Sequence, residues 1–154
     1  MKILFLHGLE SKPGGSKVKY LESLGHEVVN PWLPANSFVE SLSIAQAAFN
    51  NNDIDVIVGS SRGGALAMAM DKGNTRTILI APAWSHQEEL KIPREVEYSI
   101  NGSCTIVLHS VLDDIVTISD SERLLNKYGC RLHICGASHR MSDDDALRVL
   151  GMLI

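Results

Sequence analysis

The stretch VIVGSSRGGALAMAM, Val56–Met70, changes character twice in fifteen residues. Its apolar, β-branched start reads as a buried strand, and its alanine- and methionine-rich end as a buried helix. A plain connection would need one or two polar turn residues, yet two serines and an arginine stand between Gly59 and Gly63. Gly59-Ser-Ser-Arg-Gly63 matches the pattern G-x-S-x-G, with Ser61 at its centre. In a strand-to-helix turn of that tightness the central residue takes a strained backbone, and the residues two before and two after it must lack side chains. Ser61 meets that demand and Ser60, with Val58 two residues before it, does not. A helix opening at this point would turn its unpaired N–H groups toward a developing oxyanion.

Outward from this stretch, similar strand-like runs recur at Lys2–Leu6, His26–Asn30, Thr77–Ile80, Thr105–Leu108 and Arg131–Cys135. Several are continuously apolar, as expected of parallel strands covered on both faces. Helical patterns lie between them: Ser16–Leu24 before Gly25, Ser37 to about Asn50 behind a Ser37–Glu40 capping box, Gly63–Lys72 before Gly73, a helix opened by a Ser119–Glu122 box and ended by Gly129, and a last helix with acidic groups at Ser142–Asp145. The alternation predicts an α/β fold of three layers, with about six parallel strands and helices on both faces. Residues 1–154 read as one domain, whose single long irregular segment is Trp84–Ser103.

The 154 residues carry a net charge of −4, with no basic run longer than a pair, which argues against a nucleic-acid surface. No window approaches the ~18 apolar residues of a membrane span. The apolar run after Lys2 is too short for a signal-peptide core, so a soluble, cytoplasmic protein is expected. Cys104, Cys130 and Cys135 are an odd set without C-x-x-C spacing, which predicts reduced, buried thiols and neither disulfide nor metal site. No cofactor is implied, and the oligomeric state is open.

In such sheets ligands bind beyond the carboxyl ends of the strands. The loops there carry His7-Gly8-Leu9-Glu10, the Gly59–Gly63 turn, His109–Asp114 and Gly136-Ala-Ser-His-Arg140. A serine needs a base, and His139 is the best placed of six histidines. His7 is expected to brace its own loop and His109 to orient the acidic turn, while His133 belongs to a strand and His26 and His86 to the surface. A carboxylate must hold the imidazole's tautomer. Asp113 and Asp114 both qualify, and spacing alone does not choose between them.

With these residues in place, the chain resembles the α/β-hydrolase superfamily nearly end to end. FLHG is similar to the family's oxyanion strand and turn, VGSSRGG to its nucleophile elbow, GASHRM to its histidine loop, and HSVLDDIV to its H-G-x-x-D-x-x-V turn. That last likeness implies Asp113 as the acid with Asp114 in reserve, since Ser110 stands for the glycine and Thr117 for the proline. The HGLESKPGGSK segment is most similar to small bacterial YqiA-like serine esterases. The resemblance implies a Ser61–His139–Asp113 triad and an oxyanion hole made by the backbone N–H groups of Leu9 and Arg62. The two N-terminal antiparallel strands usual in the superfamily are missing, and Trp84–Ser103 is the only room for a lid, so a minimal cover over an open site is expected. The Arg62 side chain is expected at the surface, or paired with Glu10 or an anionic substrate. Trp32 and Trp84, both after strands, are candidate pocket residues.

The expected activity is hydrolysis of a carboxylic ester or thioester, with a small acyl compound as the partner. An amidase or peptidase using the same triad, and a non-catalytic binding or signalling protein on the same fold, are the alternatives.

Overall fold

A computed structural model describes residues 1–154. Six strands, β1 (Lys2–Leu6), β2 (Glu27–Val29), β3 (Val56–Ser60), β4 (Arg76–Ile80), β5 (Thr105–His109) and β6 (Arg131–Ile134), form one sheet. Its order is β2-β1-β3-β4-β5-β6, and every neighbouring pair is parallel. The helices are α1 (Ser16–Ser23), α2 (Phe38–Asn50), α3 (Arg62–Ala69), α4 (Ile118–Tyr128) and α5 (Asp144–Leu153).

Alternate strand residues feed two separate cores, which is the signature of a sheet covered on both sides. Leu4, Leu6, Ile57, Leu79 and Val107 point to the face covered by α2, α3 and α4, where Phe38, Leu66 and Leu124 meet them. Ile3, Phe5, Val58, Ile78 and Leu108 point the other way, onto Val18 and Leu21 of α1 and Ala146 and Leu150 of α5. The α/β class, the six parallel strands and the three layers are therefore as the sequence predicts.

Several element ends differ from expectation. α3 stops at Ala69, three residues early, because Met70 turns extended and buried, and Ser99 N–H takes the Met68 carbonyl at 2.7 Å. α4 starts at Ile118 with Thr117 as its cap, and Ser119 bonds the Thr117 hydroxyl instead of capping. Thr117 has φ −70°, the value a proline would impose, so threonine fills that position without distortion. Cys104 is only half-buried, whereas Cys130 and Cys135 are buried; all three are free thiols.

The irregular segment after β4 is not a free lid. Ile92 is buried, Val96, Tyr98 and Ile100 pack onto the α2–α3–α4 core, and Tyr98 Oη donates to the Trp84 carbonyl at 2.8 Å. No helix is long and apolar enough to cross a membrane.

Candidate active site

Ser61 sits between β3 and α3 with φ 54° and ψ −114°, a left-handed conformation that costs a non-glycine residue on the order of 1–3 kcal/mol. The turn is held from the end of β4 and the segment after it: Ser61 N–H donates to the Ile80 carbonyl at 2.9 Å, and Ala83 N–H to the Ser61 carbonyl at 3.1 Å. Both flanking glycines are sterically required. A Cβ on Gly59 would lie 2.4 Å from the Gly63 carbonyl oxygen, and one on Gly63 only 2.0 Å from that of Leu6.

His139 reaches the serine from the loop after β6. Its Nε2 is 2.9 Å from Ser61 Oγ and its Nδ1 is 2.7 Å from Asp113 Oδ2. A carboxylate facing Nδ1 places the proton there, which leaves Nε2 free to accept from the serine hydroxyl. The Asp113 side chain is 0% exposed. Its Oδ1 accepts the N–H groups of Ile115 and Val116 at 2.8 and 2.9 Å. Burial would raise its pKa, but the His139 hydrogen bond, the two backbone N–H groups and the attraction of the imidazole together hold it below the ordinary carboxylate value.

A second histidine shares the same carboxylate oxygen. His109 is fully buried, with Nε2 3.0 Å from both Asp113 Oδ2 and the Val116 carbonyl, and Nδ1 2.6 Å from Ser121 Oγ. Two acceptors at Nε2 fix the proton on that nitrogen, so Nδ1 accepts from Ser121. His109 does orient the acidic turn. Ser110, standing where the family pattern has glycine, donates to the Gly136 carbonyl at 2.8 Å and accepts Leu112 N–H, so it ties the acidic turn to the histidine loop. Asp114 is exposed and forms no side-chain hydrogen bond; it borders the cleft instead.

His7 accepts Leu33 N–H at Nε2 and donates from Nδ1 to the Gly8 carbonyl, which braces the first loop. Leu9 on that loop and Arg62 at the start of α3 have backbone N–H groups that no acceptor within the chain takes up. The Arg62 side chain is not at the surface. It is 0% exposed, its Nη2 donates to Pro34 O, Ser37 O and Ser41 Oγ, and its Nε and Nη1 have no partner. Burial lowers its pKa, and no carboxylate lies within salt-bridge reach.

A cleft of about 730 Å³ opens over Ser61 and His139. Neither tryptophan lines it. Trp32 is 63% exposed elsewhere, and Trp84 is held aside by its Nε1 bond to the Asp120 carbonyl, an edge contact with Tyr98 and the Arg123 guanidinium over its ring. Both follow strands, but a position after a strand does not set the direction of a side chain. Two further residues line the cleft: His86, expected at the surface but half-buried with Nε2 3.7 Å from Asp120, and Lys17 in the first turn of α1, to which the sequence assigned no role. Both follow strands at the carboxyl end of the sheet, the only signal the sequence carries for them. No group of three or more His, Cys, Asp or Glu side chains is spaced to hold a metal ion.

The sequence matches no family model and no curated protein. Solved structures do match it. Alpha/beta hydrolase domain-containing protein 10 from mouse is 18% identical, with 98% of this chain and 86% of that chain covered and a TM-score of 0.68. Est1E from Butyrivibrio proteoclasticus is 14% identical, with 98% and 84% covered and a TM-score of 0.73. The esterase domain of a Rhodothermus marinus protein is 20% identical, with 99% and 83% covered and a TM-score of 0.67. At these identities the likeness is one of fold.

Proposed function

We propose that this chain, which has the α/β-hydrolase fold, is a serine hydrolase of carboxylic esters or thioesters. The observation that carries the reading is the hydrogen-bonded chain from Ser61 Oγ through His139 to Asp113, with the serine in a left-handed backbone at the floor of an open cleft. The strained backbone belongs to Ser61 and the oriented base to His139, and the two meet at one hydroxyl.

In this mechanism Ser61 Oγ attacks the acyl carbonyl while His139 Nε2 takes its proton. Asp113 holds the ring and stabilises the imidazolium. The oxyanion sits against the free N–H groups of Leu9 and Arg62, where one such donor is worth on the order of 3 kcal/mol of barrier. As the carbonyl re-forms, the alcohol or thiol leaves with the His139 proton, and the acyl group stays on Ser61. Water, deprotonated by His139, then releases the carboxylic acid and restores the serine.

Labelling by a fluorophosphonate probe, with the adduct located by mass spectrometry, tests this directly. Adduct on Ser61 is expected in the wild type and in Ser60→Ala, absent in Ser61→Ala, and strongly slowed in His139→Ala. No adduct on folded wild-type protein would overturn the reading in favour of a binding protein. Ester and amide substrates with one acyl group would separate an esterase from an amidase.

A further inference from the structure

The two long walls of the cleft belong to opposite faces of the sheet. One consists of the β1–α1 loop, the first turn of α1 and the residues just after His139, rooted by Val18 and Met141 in the α1–α5 core. The other consists of His86, Glu89 and Leu90, rooted in the α2–α3–α4 core. Charge divides with the walls. Lys12, Lys17 and Arg140 stand on the first, while Glu89 stands on the second and Asp114 at the end of the sheet; Glu10, next to Leu9, is the one acid on the cationic side. None of the three cations has a carboxylate within 4.0 Å.

Lys17 is the centre of that side. It is half-buried, and its Nζ donates to the Arg140 carbonyl at 2.5 Å and to Ser142 Oγ at 3.3 Å, both neutral acceptors. Ser142 Oγ is itself 3.2 Å from Ser16 Oγ. Lysine is rarely removed from water without a counter-ion. Here burial, with the Arg140 charge adding and Asp143 opposing, pushes its pKa down to about 8. Asp143 is engaged elsewhere, accepting Ala137 N–H and Ala146 N–H at the start of α5. The protein thus supplies no direct counter-ion for Lys17, whose ammonium retains one unused N–H and which lines the cleft together with His139.

We propose that Lys17, flanked by Arg140 and Lys12, binds a carboxylate on the substrate of the Ser61 site, so that the ester or thioester cleaved carries one negative charge on the part lying over α1. The inference rests on the hydrolase reading above. A single charge fits better than a phosphate dianion, because Glu10, Glu89 and Asp114 border the same cleft and would repel the second charge.

Two matched substrate pairs test it and locate the charge. The p-nitrophenyl half-ester of adipic acid against p-nitrophenyl hexanoate puts the carboxylate on the acyl side; 3-acetoxybenzoate against phenyl acetate puts it on the leaving group. In at least one pair, kcat/KM should favour the anionic member. That ratio should fall about 10- to 100-fold in Lys17→Met, the worth of one charged hydrogen bond, and by less in Arg140→Gln. Taking the ratio cancels any general effect of Lys17→Met on the histidine loop. Lys19→Met, on the exposed side of α1, should leave the ratio unchanged. No anionic preference in either pair, or a preference intact in Lys17→Met, overturns the proposal. Calorimetric binding of monomethyl adipate to Ser61→Ala is independent of turnover. Binding that disappears in Ser61→Ala/Lys17→Met would support the subsite even if fluorophosphonate labelling failed, and absence of binding would count against it.

Discussion

Replacing Asp113 with asparagine asks the structure for a definite answer, because all four groups around the carboxylate are donors. Ile115 and Val116 N–H face Oδ1, and His139 Nδ1–H and His109 Nε2–H face Oδ2. The amide has one oxygen and must turn its NH2 toward one of these pairs. If the oxygen stays with the histidines, the buried Val116 N–H loses its acceptor, at about 1–3 kcal/mol. If the NH2 faces the histidines, the turn keeps both bonds and His139 moves its proton to Nε2, while His109 either holds its Nε2 proton on the Val116 carbonyl alone or gives that carbonyl up. The first arrangement also sets the NH2 against two N–H donors, so the second prevails. His139 then carries its proton on Nε2 and cannot accept one from Ser61. A wrong tautomer of this kind costs on the order of 10⁴ in kcat, or roughly 5 kcal/mol of barrier. The expected result for Asp113→Asn is a near-total loss of p-nitrophenyl ester hydrolysis and of fluorophosphonate labelling, with a urea midpoint close to that of the wild type. Asp114→Asn, whose carboxylate bonds nothing, should be at least a thousandfold more active than Asp113→Asn. A folded Asp113→Asn within tenfold of wild-type activity would refute the assignment of the acid and the tautomer argument together.

Gly63→Ala places its Cβ against the Leu6 carbonyl oxygen of β1, a backbone atom that cannot move aside. We expect destabilisation by roughly 3 kcal/mol or more and loss of Ser61 labelling, read by thermal unfolding and mass spectrometry. His109→Phe removes one of the two histidine donors to Asp113 and leaves the Val116 carbonyl unpaired. Stability should fall by about 2–4 kcal/mol in urea unfolding, and labelling should slow less than in Asp113→Asn. Lys72 is buried, with Nζ donating to the Ser99 carbonyl, and burial pushes its pKa down to about 8 against the pull of Asp71. Between pH 8 and 10.5 the unfolded chain keeps that proton and the native protein sheds it. Wild type should therefore gain stability relative to Lys72→Met as pH rises through this window, by at most about 1.4 kcal/mol per unit; a flat or opposite trend would refute it.

The order of strands and helices was legible because continuous apolar runs and glycine stops are local signals, and the α/β fold follows from their alternation. The Ser61 turn was legible for a stronger reason: its two glycines answer a steric demand that Gly59 and Gly63 each meet against backbone. Element ends were less so. α3 stops where Ser99, thirty residues downstream, takes its carbonyl, and nothing local marks that point. The choice of Asp113 over Asp114 came from likeness to a family pattern, since the two neighbours differ only in which one the turn folds inward. Trp32 and Trp84 share only a position after a strand, and position does not aim a side chain. Arg62 ran against the general rule that arginine is buried only when paired.

That arginine ties the turn that carries Ser61 to a distant part of the scaffold. Its guanidinium leaves water only when Pro34, Ser37 and Ser41, all at the entrance to α2, bring three acceptors to it at once. Two of its nitrogens find no hydrogen-bond partner, and the Phe38 ring, centred 5.9 Å from the guanidinium carbon, is its other neighbour of opposite polarity, so each of the three acceptors counts. The entrance to α2 is thus tied to the residue beside Ser61, an interlock between the scaffold and the turn. A substitution that removes one of these acceptors leaves a buried charge short of partners one residue from Ser61, so damage at the α2 entrance reaches the turn.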